Sequence, residues 1–252
     1  QTSLWVAVAL GDHAPYKAVV GHGFFVDDQG RKLSKSRGNI ISPAEIYDKY
    51  GADVLRLWFT YADFRQKMHL SESVLKQVGD AYRRIRNTAR FLLQNLGDFD
   101  PAKDLLPAEE LSEIDRWALD LSQRPVRSST EAYDHWDLHL VHRDLHRFCD
   151  ADMSAFYLNV LKDRLYTDLP DSPARRSAQT AMWQILLALT KMMAPILTFT
   201  AEEIWQHARK IDPALPESAQ LADWPEEHEE FLLDEAAVGP WNYFREVRIQ
   251  VE

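Results

Sequence analysis

The sequence predicts a mainly α protein: a short strand-bearing segment in front, and an antiparallel helical bundle behind it. Three observations predict this. From about Pro107 to Lys210, apolar residues recur at helical spacing with no strand-like alternation. Ser42-Pro43-Ala44-Glu45 and Thr200-Ala201-Glu202-Glu203 both read as capping boxes, the first with Pro at the opening helical position. Residues 18–26, Ala-Val-Val-Gly-His-Gly-Phe-Phe-Val, are β-branched and aromatic enough to form a buried strand.

In chain order, an apolar run at 4–10 precedes that strand, and Asp27-Asp28-Gln29-Gly30 signals a turn after it. A helix capped by Ser42 runs to about Tyr50, where Gly51 stops it. A second short helix, about 53–61, carries Val54, Leu55, Leu57, Trp58 and Tyr61 on one broad apolar face, and 62–70 reads as a connector. Ser71 opens a long helix that Gly97 closes. Its apolar stripe is Val74, Val78, Ala81, Ile85, Ala89, Leu92 and Leu96; Lys76, Arg83, Arg86, Arg90 and Gln94 form a second stripe turned away from the core. Leu111, Ile114, Trp117, Ala118 and Leu121 mark the next helix, and 126–136 a separate one. Asp137 caps a long helix over 138–166. Ser172-Pro173 starts another that ends at Pro195, and the second capping box leads into Ile204 and Trp205. Residues 211–241 read as a linker of low order, docked by Trp224 and Phe231-Leu232-Leu233, before a last helix introduced by Asp234 or Pro240. Several helices with short connections make an antiparallel bundle.

At 252 residues with 46% hydrophobic and 27% charged residues, the chain is globular in composition rather than disordered. The one cysteine, Cys149, excludes an internal disulfide framework and points to a reducing compartment. The longest apolar run is too short to span a bilayer, so a soluble protein is expected. Both ends read as cuts, which predicts a piece of a longer protein. The net charge of −10 argues against a nucleic-acid partner until its distribution is considered. Residues 211–252 hold 11 acids and 2 bases, leaving 28 acids and 27 bases in the body, which can therefore carry local basic stripes.

One stretch stands apart. Residues 30–39, Gly-Arg-Lys-Leu-Ser-Lys-Ser-Arg-Gly-Asn, interleave the cations Arg31, Lys32, Lys35 and Arg37 with the hydroxyls Ser34 and Ser36, between glycines. Ammonium groups, hydroxyl donors and closely approaching backbone amides suit phosphate oxygens, although a solvated basic turn has the same composition. The series His139, His142, His146 and Cys149 resembles metal-ligand spacing. One straight helix rarely wraps that many ligands around a tetrahedral ion, and no second cysteine exists, so no metal site is expected. An apolar helical context predicts Cys149 to be a buried, inert thiol.

Lys32-Leu33-Ser34-Lys35-Ser36, with Gly38-Asn39 behind it, resembles the Lys-Met-Ser-Lys-Ser loop of class I aminoacyl-tRNA synthetases, with Leu33 at the Met position. Gly51-Ala52-Asp53-Val54-Leu55-Arg56-Leu57-Trp58 is similar to the segment that follows the loop in the isoleucine, valine and leucine subgroup. Four further segments resemble isoleucyl-tRNA synthetases in particular. They are the stretch from Tyr82 to Leu93, Asp115-Arg116-Trp117-Ala118, the stretch from Ser154 to Tyr166, and the stretch from Ala194 to Trp205.

The resemblance implies the end of a Rossmann-type α/β catalytic domain at 1–40 and connecting helices at 41–70. An anticodon-binding bundle would occupy 71–210, with an acidic linker and a helix start at 211–252. It implies an ATP-dependent isoleucine–tRNA ligase acting in the cytoplasm as a monomer, using ATP with Mg2+. The His-x-Gly-His signature and the isoleucine site lie outside this chain, so the piece alone is expected to be inactive. Lys35, supported by Lys32, is the expected catalytic cation, with Lys32, Leu33, Ser34, Lys35 and Ser36 lining ATP. Arg83, Arg86, Asn87, Arg90, Arg164, Tyr166 and Trp205 are the expected tRNA contacts, packing being the alternative for Trp205. A valyl or leucyl enzyme, or a helical RNA-binding module without catalysis, remains the other reading.

Overall fold

The computed structural model describes residues 2–11 and 13–251, with side chains through Arg248. Its elements are α1 (Thr2–Gly11), β1 (Phe25–Val26), α2 (Pro43–Tyr50), α3 (Ala52–Trp58), β2 (Met68–His69), α4 (Glu72–Gln94), α5 (Pro101–Asp104), α6 (Glu113–Asp134), α7 (Leu138–Arg147), α8 (Leu158–Thr167), α9 (Pro173–Met193), α10 (Thr198–Ile211) and α11 (Glu235–Val251). A π-helical stretch, Phe148–Tyr157, joins α7 to α8. The protein is mainly α, as the sequence predicts. Among the described residues no helix is long and apolar enough to cross a membrane.

The expected strand over 18–26 shrinks to two residues. Phe25 and Val26 pair in parallel with Met68 and His69, inside what reads as a connector. A strand extends only where a neighbour takes its backbone groups; here Met68 N donates to Phe24 O at 3.0 Å and Leu70 N to Val26 O at 2.9 Å, while residues 18–22 lie exposed. Gly23 N donates to Phe64 O at 2.7 Å, and a Cβ on Gly23 would stand 1.8 Å from Gln66 O, so only glycine permits this approach. Trp58 Nε1 donates to His69 O at 3.0 Å and packs with Phe25 and Phe59, fastening the strand pair to α3.

The Ser42 capping box forms as predicted. The Thr200 box does not. Helix α10 begins at Thr198, three residues before the start the box predicts, and early amides go to Asp53 of α3: Thr200 N donates to Oδ2 at 2.7 Å and Phe199 N to Oδ1 at 3.3 Å. One turn later, Arg56 donates to the carbonyls of Ile196 and Pro195, each at 2.8 Å. A carboxylate at a helix N-terminus and a cation on the carbonyls just before it complement the charge of the α9–α10 corner. Glu202, freed from capping, accepts from Ser218 Oγ at 2.7 Å and Ala219 N at 3.0 Å.

Ser71 caps α4 as expected, but the helix closes at Asn95, whose Nδ2 donates to Phe91 O at 2.8 Å, rather than at Gly97. The predicted apolar stripe is buried from Val78 to Leu96, with Leu75 added. Helix α6 runs unbroken through Pro125, where the sequence reading places two helices. Proline forfeits an amide donor there, yet Pro125 and Val126 are buried and α6 packs against both α7 and α9, so packing on both sides keeps one helix. Asp137 does not cap α7; it accepts from Arg65 Nη1 at 2.6 Å. The expected 138–166 helix is continuous but changes winding between α7 and α8. Phe148, Cys149, Asp152, Met153, Phe156 and Tyr157 are buried there, in pairs recurring every four residues, a spacing that suits a wider turn than 3.6.

Residues 212–234 are tied down rather than loose. Trp224 Nε1 donates to Thr130 Oγ1 at 2.7 Å, His228 N to Gln123 Oε1 at 2.9 Å, and Leu233 N to Asp120 Oδ1 at 3.0 Å. Phe231 is buried while Leu232 is exposed. Asp234 introduces α11, accepting from Ala237 N, and Pro240 lies inside that helix.

Candidate functional site

The basic stretch folds as a hairpin-like turn on β1, and one carboxylate organises it. Leu33 N donates to Phe25 O and Asp27 N to Arg31 O, both at 2.9 Å. Asp27 Oδ1 accepts from Gln29 N at 3.0 Å and Arg31 N at 2.9 Å; Oδ2 accepts from Arg31 Nε at 2.8 Å and Asn39 Nδ2 at 3.0 Å. The Arg31 guanidinium, and next the Asn39 amide, hold the Asp27 carboxyl well below the usual carboxylate range. Arg31 is thereby spent inside the turn, which leaves Lys32, Lys35 and Arg37 without a carboxylate partner among the described residues.

Lys35 to Arg37 make a single 3₁₀ turn, closed by Gly38 at φ 66°. Gly30 also takes a left-handed φ of 72°, so glycines stand where the chain reverses. Leu33 packs against the core edge and anchors the turn. Lys35, Ser36 and Arg37 are exposed; Ser34 Oγ and Ser36 Oγ share a hydrogen bond of 3.2 Å, and Lys32 Nζ stands 4.1 Å above the Phe24 ring. Two lysines and two hydroxyls thus project from one short, anchored turn, a donor set suited to polyphosphate oxygens.

In the bundle, Arg83, Arg86, Asn87 and Arg90 are all exposed along α4. Arg83 pairs with Asp80 in its own helix. Arg86 faces Glu203 of α10 at 3.8 Å, and Arg90 and Asn87 have no polar partner among the described residues. Arg86 and Arg90 border a groove of about 410 Å³ between α4 and α10, with an apolar floor from Leu93, Ile204 and Ile211 and with Gln94 and His207 at its rim. The structure brings these two arginines together, and the sequence stripe already placed them on one face. Glu203 and His207 at the rim were not anticipated, because the pairing of α4 with α10 spans more than a hundred residues.

Two expected contacts are corrected. Trp205 is fully buried and its Nε1 donates to Pro216 O at 2.8 Å, so packing takes it. Arg164 donates to both oxygens of Asp115, at 2.7 and 2.9 Å, and Asp115 is fully buried. Tyr157 OH at 2.8 Å and Ser177 Oγ at 2.6 Å complete that carboxylate's partners, and burial raises the Tyr157 hydroxyl pKa well above its usual value. Arg164 therefore staples α8 to α6, half-buried with its guanidinium turned onto Asp115. Tyr166 is 64% exposed on α8 and does not line the groove.

The His–Cys series does not converge on a metal: no group of three or more potential ligands gathers among the described residues. Burial pushes the Cys149 thiol up to about 12 and pulls His142 down to about 4, leaving both neutral near pH 7.

Residues 1–71 match the family described as class I tRNA synthetases (I, L, M and V), and residues 115–251 match the anticodon-binding domain of tRNA ligase. An isoleucine–tRNA ligase of Caldanaerobacter subterraneus subsp. tengcongensis is 53% identical over 92% of this chain and 25% of its own length. One from Moorella thermoacetica is 49% identical over 98% of the chain and 26% of its own length. One from Symbiobacterium thermophilum is 49% identical over the whole chain and 27% of its own length. The chain thus spans about a quarter of these relatives. A crystallised Agrobacterium radiobacter LeuRS–tRNA–LeuAMS ternary complex shares the fold, with a TM-score of 0.66 at 18% identity over 92% of this chain and 27% of that one. With the basic turn inside the first matched segment and most of the bundle inside the second, the chain belongs to the class I tRNA synthetases and carries their anticodon-binding domain.

Proposed function

We propose that the chain supplies the triphosphate-facing turn and the tRNA-facing bundle of an ATP-dependent isoleucine–tRNA ligase. Residues 1–40 would close the catalytic domain, 41–70 connect, 71–210 bind tRNA, and 211–252 lead onward. The observation that carries this reading is the anchored turn, which holds Lys32, Ser34, Lys35 and Ser36 outward from a strand edge within the segment that matches the synthetase family. Isoleucine and the remainder of ATP, which brings Mg2+, would be held by parts of the enzyme outside residues 1–252.

In the first half-reaction, the isoleucine carboxylate attacks the α-phosphorus of ATP, the α–β phosphoanhydride bond breaks, and pyrophosphate departs with the negative charge. Lys35 meets that developing charge, Lys32 assists, and the two serine hydroxyls add donors. Leu33 does no chemistry; it packs the turn in place. For the second substrate, Arg83, Arg86, Asn87 and Arg90 present cations and an amide along one exposed helix face. Single-stranded RNA is bound this way, with cations on phosphates and base edges read by polar groups. The groove beside Arg86 and Arg90 is large enough for an unstacked base over an apolar floor. Tyr166 stands apart and would serve as a lone stacking contact.

The test is a pair of variants in the full-length protein. Lys35→Ala should lower isoleucine-dependent ATP–pyrophosphate exchange by about 10²–10³-fold, the usual loss for one oxyanion donor. Arg86→Glu with Arg90→Glu should weaken tRNA binding and flatten its salt dependence while exchange persists. A wild-type exchange rate in the first variant removes Lys35 from the mechanism; unchanged tRNA affinity across salt removes α4 from the RNA face.

A further inference from the structure

Of the two lysines, the Lys35 side chain makes no polar contact among the described residues, and that of Lys32 rests only over the Phe24 ring. The turn's exposed tip has glycines at both bends and a single apolar anchor, Leu33. What crosses it is the side chain of Asn39. Its Oδ1 accepts from Ser34 N at 3.0 Å, and its Nδ2 donates to Asp27 Oδ2 at 3.0 Å and toward Lys32 O at 3.4 Å. One amide thereby grips the backbone on both sides of Leu33, at the residue bearing the first lysine and at the residue preceding the second. Asp27 is itself fixed to the turn at the end of β1 by two backbone amides and the Arg31 guanidinium.

We propose that Asn39, seated on Asp27, is the positioning residue that sets where Lys32 and Lys35 stand. It touches neither substrate; it acts through the two lysines, and the assignment rests on reading this turn as the pyrophosphate clamp. Near-attack geometry is sensitive to shifts of about 1 Å, and a cation held in advance costs less ordering entropy when the ligand arrives. Both partners lie at the surface or half-buried, where such bonds add little to global stability. Loss of the brace should therefore reach the rate before it reaches the fold.

The pair also has a polarity that can be exchanged. In Asn39→Asp, two carboxylates face each other across the 3.0 Å contact, and the brace opens. Adding Asp27→Asn remakes the contact between positions 27 and 39, though not the Arg31 ion pair on Oδ2: the amide at position 27 keeps an oxygen for the Gln29 and Arg31 amides and turns its nitrogen toward the carboxylate at 39. That carboxylate still accepts from Ser34 N. The double variant carries the same net charge as the starting protein.

The experiment uses the full-length protein and measures isoleucine-dependent ATP–pyrophosphate exchange against ATP and isoleucine concentration, with thermal midpoints alongside. Asn39→Ala and Asn39→Asp should each lower kcat by roughly 10- to 100-fold, as expected for a displaced catalytic group. The isoleucine KM and the thermal midpoint should stay put. Asn39→Asp with Asp27→Asn should recover part of the lost rate, since the contact between the two side chains returns while the Arg31 bond to Oδ2 does not. A wild-type kcat in Asn39→Ala overturns the proposal, and so does a rate loss that tracks the thermal midpoint and is not recovered in the double variant. Lys35→Ala, run in parallel, separates the two levels. If it keeps full exchange, the reading of the turn itself fails; if it loses exchange while Asn39→Ala does not, only the positioning role fails.

Discussion

Residues 2–11 and 13–41 place one side chain, Val26, in the core, whereas α9 alone buries 13 of its 21 residues. Both regions are ordered, by different means. The basic turn is held by hydrogen bonds among groups that water can reach, most of them meeting at Asp27 and Asn39. The bundle is held by buried Trp117, Trp183, Trp205 and the aliphatic residues around them, with the buried carboxylates Asp115 and Asp152 paired to arginines. The difference teaches where a charged residue acts. Exposed cations on a polar frame can shift to meet a ligand at small cost to the fold. A buried pair such as Asp115–Arg164 is committed to packing, whatever its resemblance to an RNA contact.

The largest effect should come from breaking that pair. Arg164→Ala leaves the Asp115 carboxylate with its two hydroxyl donors but no countercharge in a fully buried site. Removing one partner of a buried pair costs about 3–5 kcal/mol. Urea unfolding should show a lower midpoint with little change in slope. Equal stability of the variant and the parent would return Arg164 to the surface and blur the contrast between the regions.

A smaller effect, confined to acid, should come from His142. It is buried on α7 against Thr60, whose Oγ1 is 3.3 Å from Nδ1, and against the edge of the Tyr61 ring; His146 is the nearby titratable group. Burial first, and His146 next, lower its pKa from 6.5 to about 4. The fold therefore favours the neutral ring. Its contribution is fully present above about pH 6.5 and is lost as pH falls through about 4, a change of about 3 kcal/mol at 1.36 kcal/mol per unit. Comparing urea midpoints of the parent and His142→Gln between pH 7 and pH 4.5 checks this: the parent should lose more stability over that window. Parallel curves would mean that water already reaches the ring.

Helical periodicity was enough to read the α4 stripe and the start of α9, because each depends on neighbours within a few turns. The basic turn was legible for the same reason: its chemistry lies within ten consecutive residues. What stayed hidden depends on distant partners. Thr200 carries a local capping pattern, but Asp53, nearly 150 residues away, takes the Thr200 amide. Pro125 signals a break that packing on both sides overrides. The short β1–β2 pair could not be read because β2 is two residues long and gains its place only from β1. Arg164 and Trp205 are expected tRNA contacts by resemblance only; burial takes Trp205, and the buried Asp115 carboxylate, more than forty residues away, takes the Arg164 guanidinium. The winding change at Phe148–Tyr157 did leave a trace, the buried pairs at fours, which a helix template of 3.6 absorbs without notice.

The smallest of the three effects concerns the joint between the regions. Helix α3 follows the basic turn by about a dozen residues and grips the bundle through Asp53 on the α10 amides and Arg56 on the carbonyls of Pro195 and Ile196. Asp53→Ala strips two amides of their acceptor at a helix start, at a cost of about 1–2 kcal/mol, the range for losing an N-cap. Asp53→Asn keeps an oxygen for the Thr200 amide and should recover most of that loss, since asparagine caps nearly as well as aspartate. The two urea midpoints should therefore split, with the alanine variant clearly below the asparagine variant. If both variants fall together, the joint depends on the negative charge beside the helix end; if neither falls, α3 is held by Val54, Leu57 and Trp58 alone, and the turn and the bundle are joined by apolar contact rather than by a polar clamp.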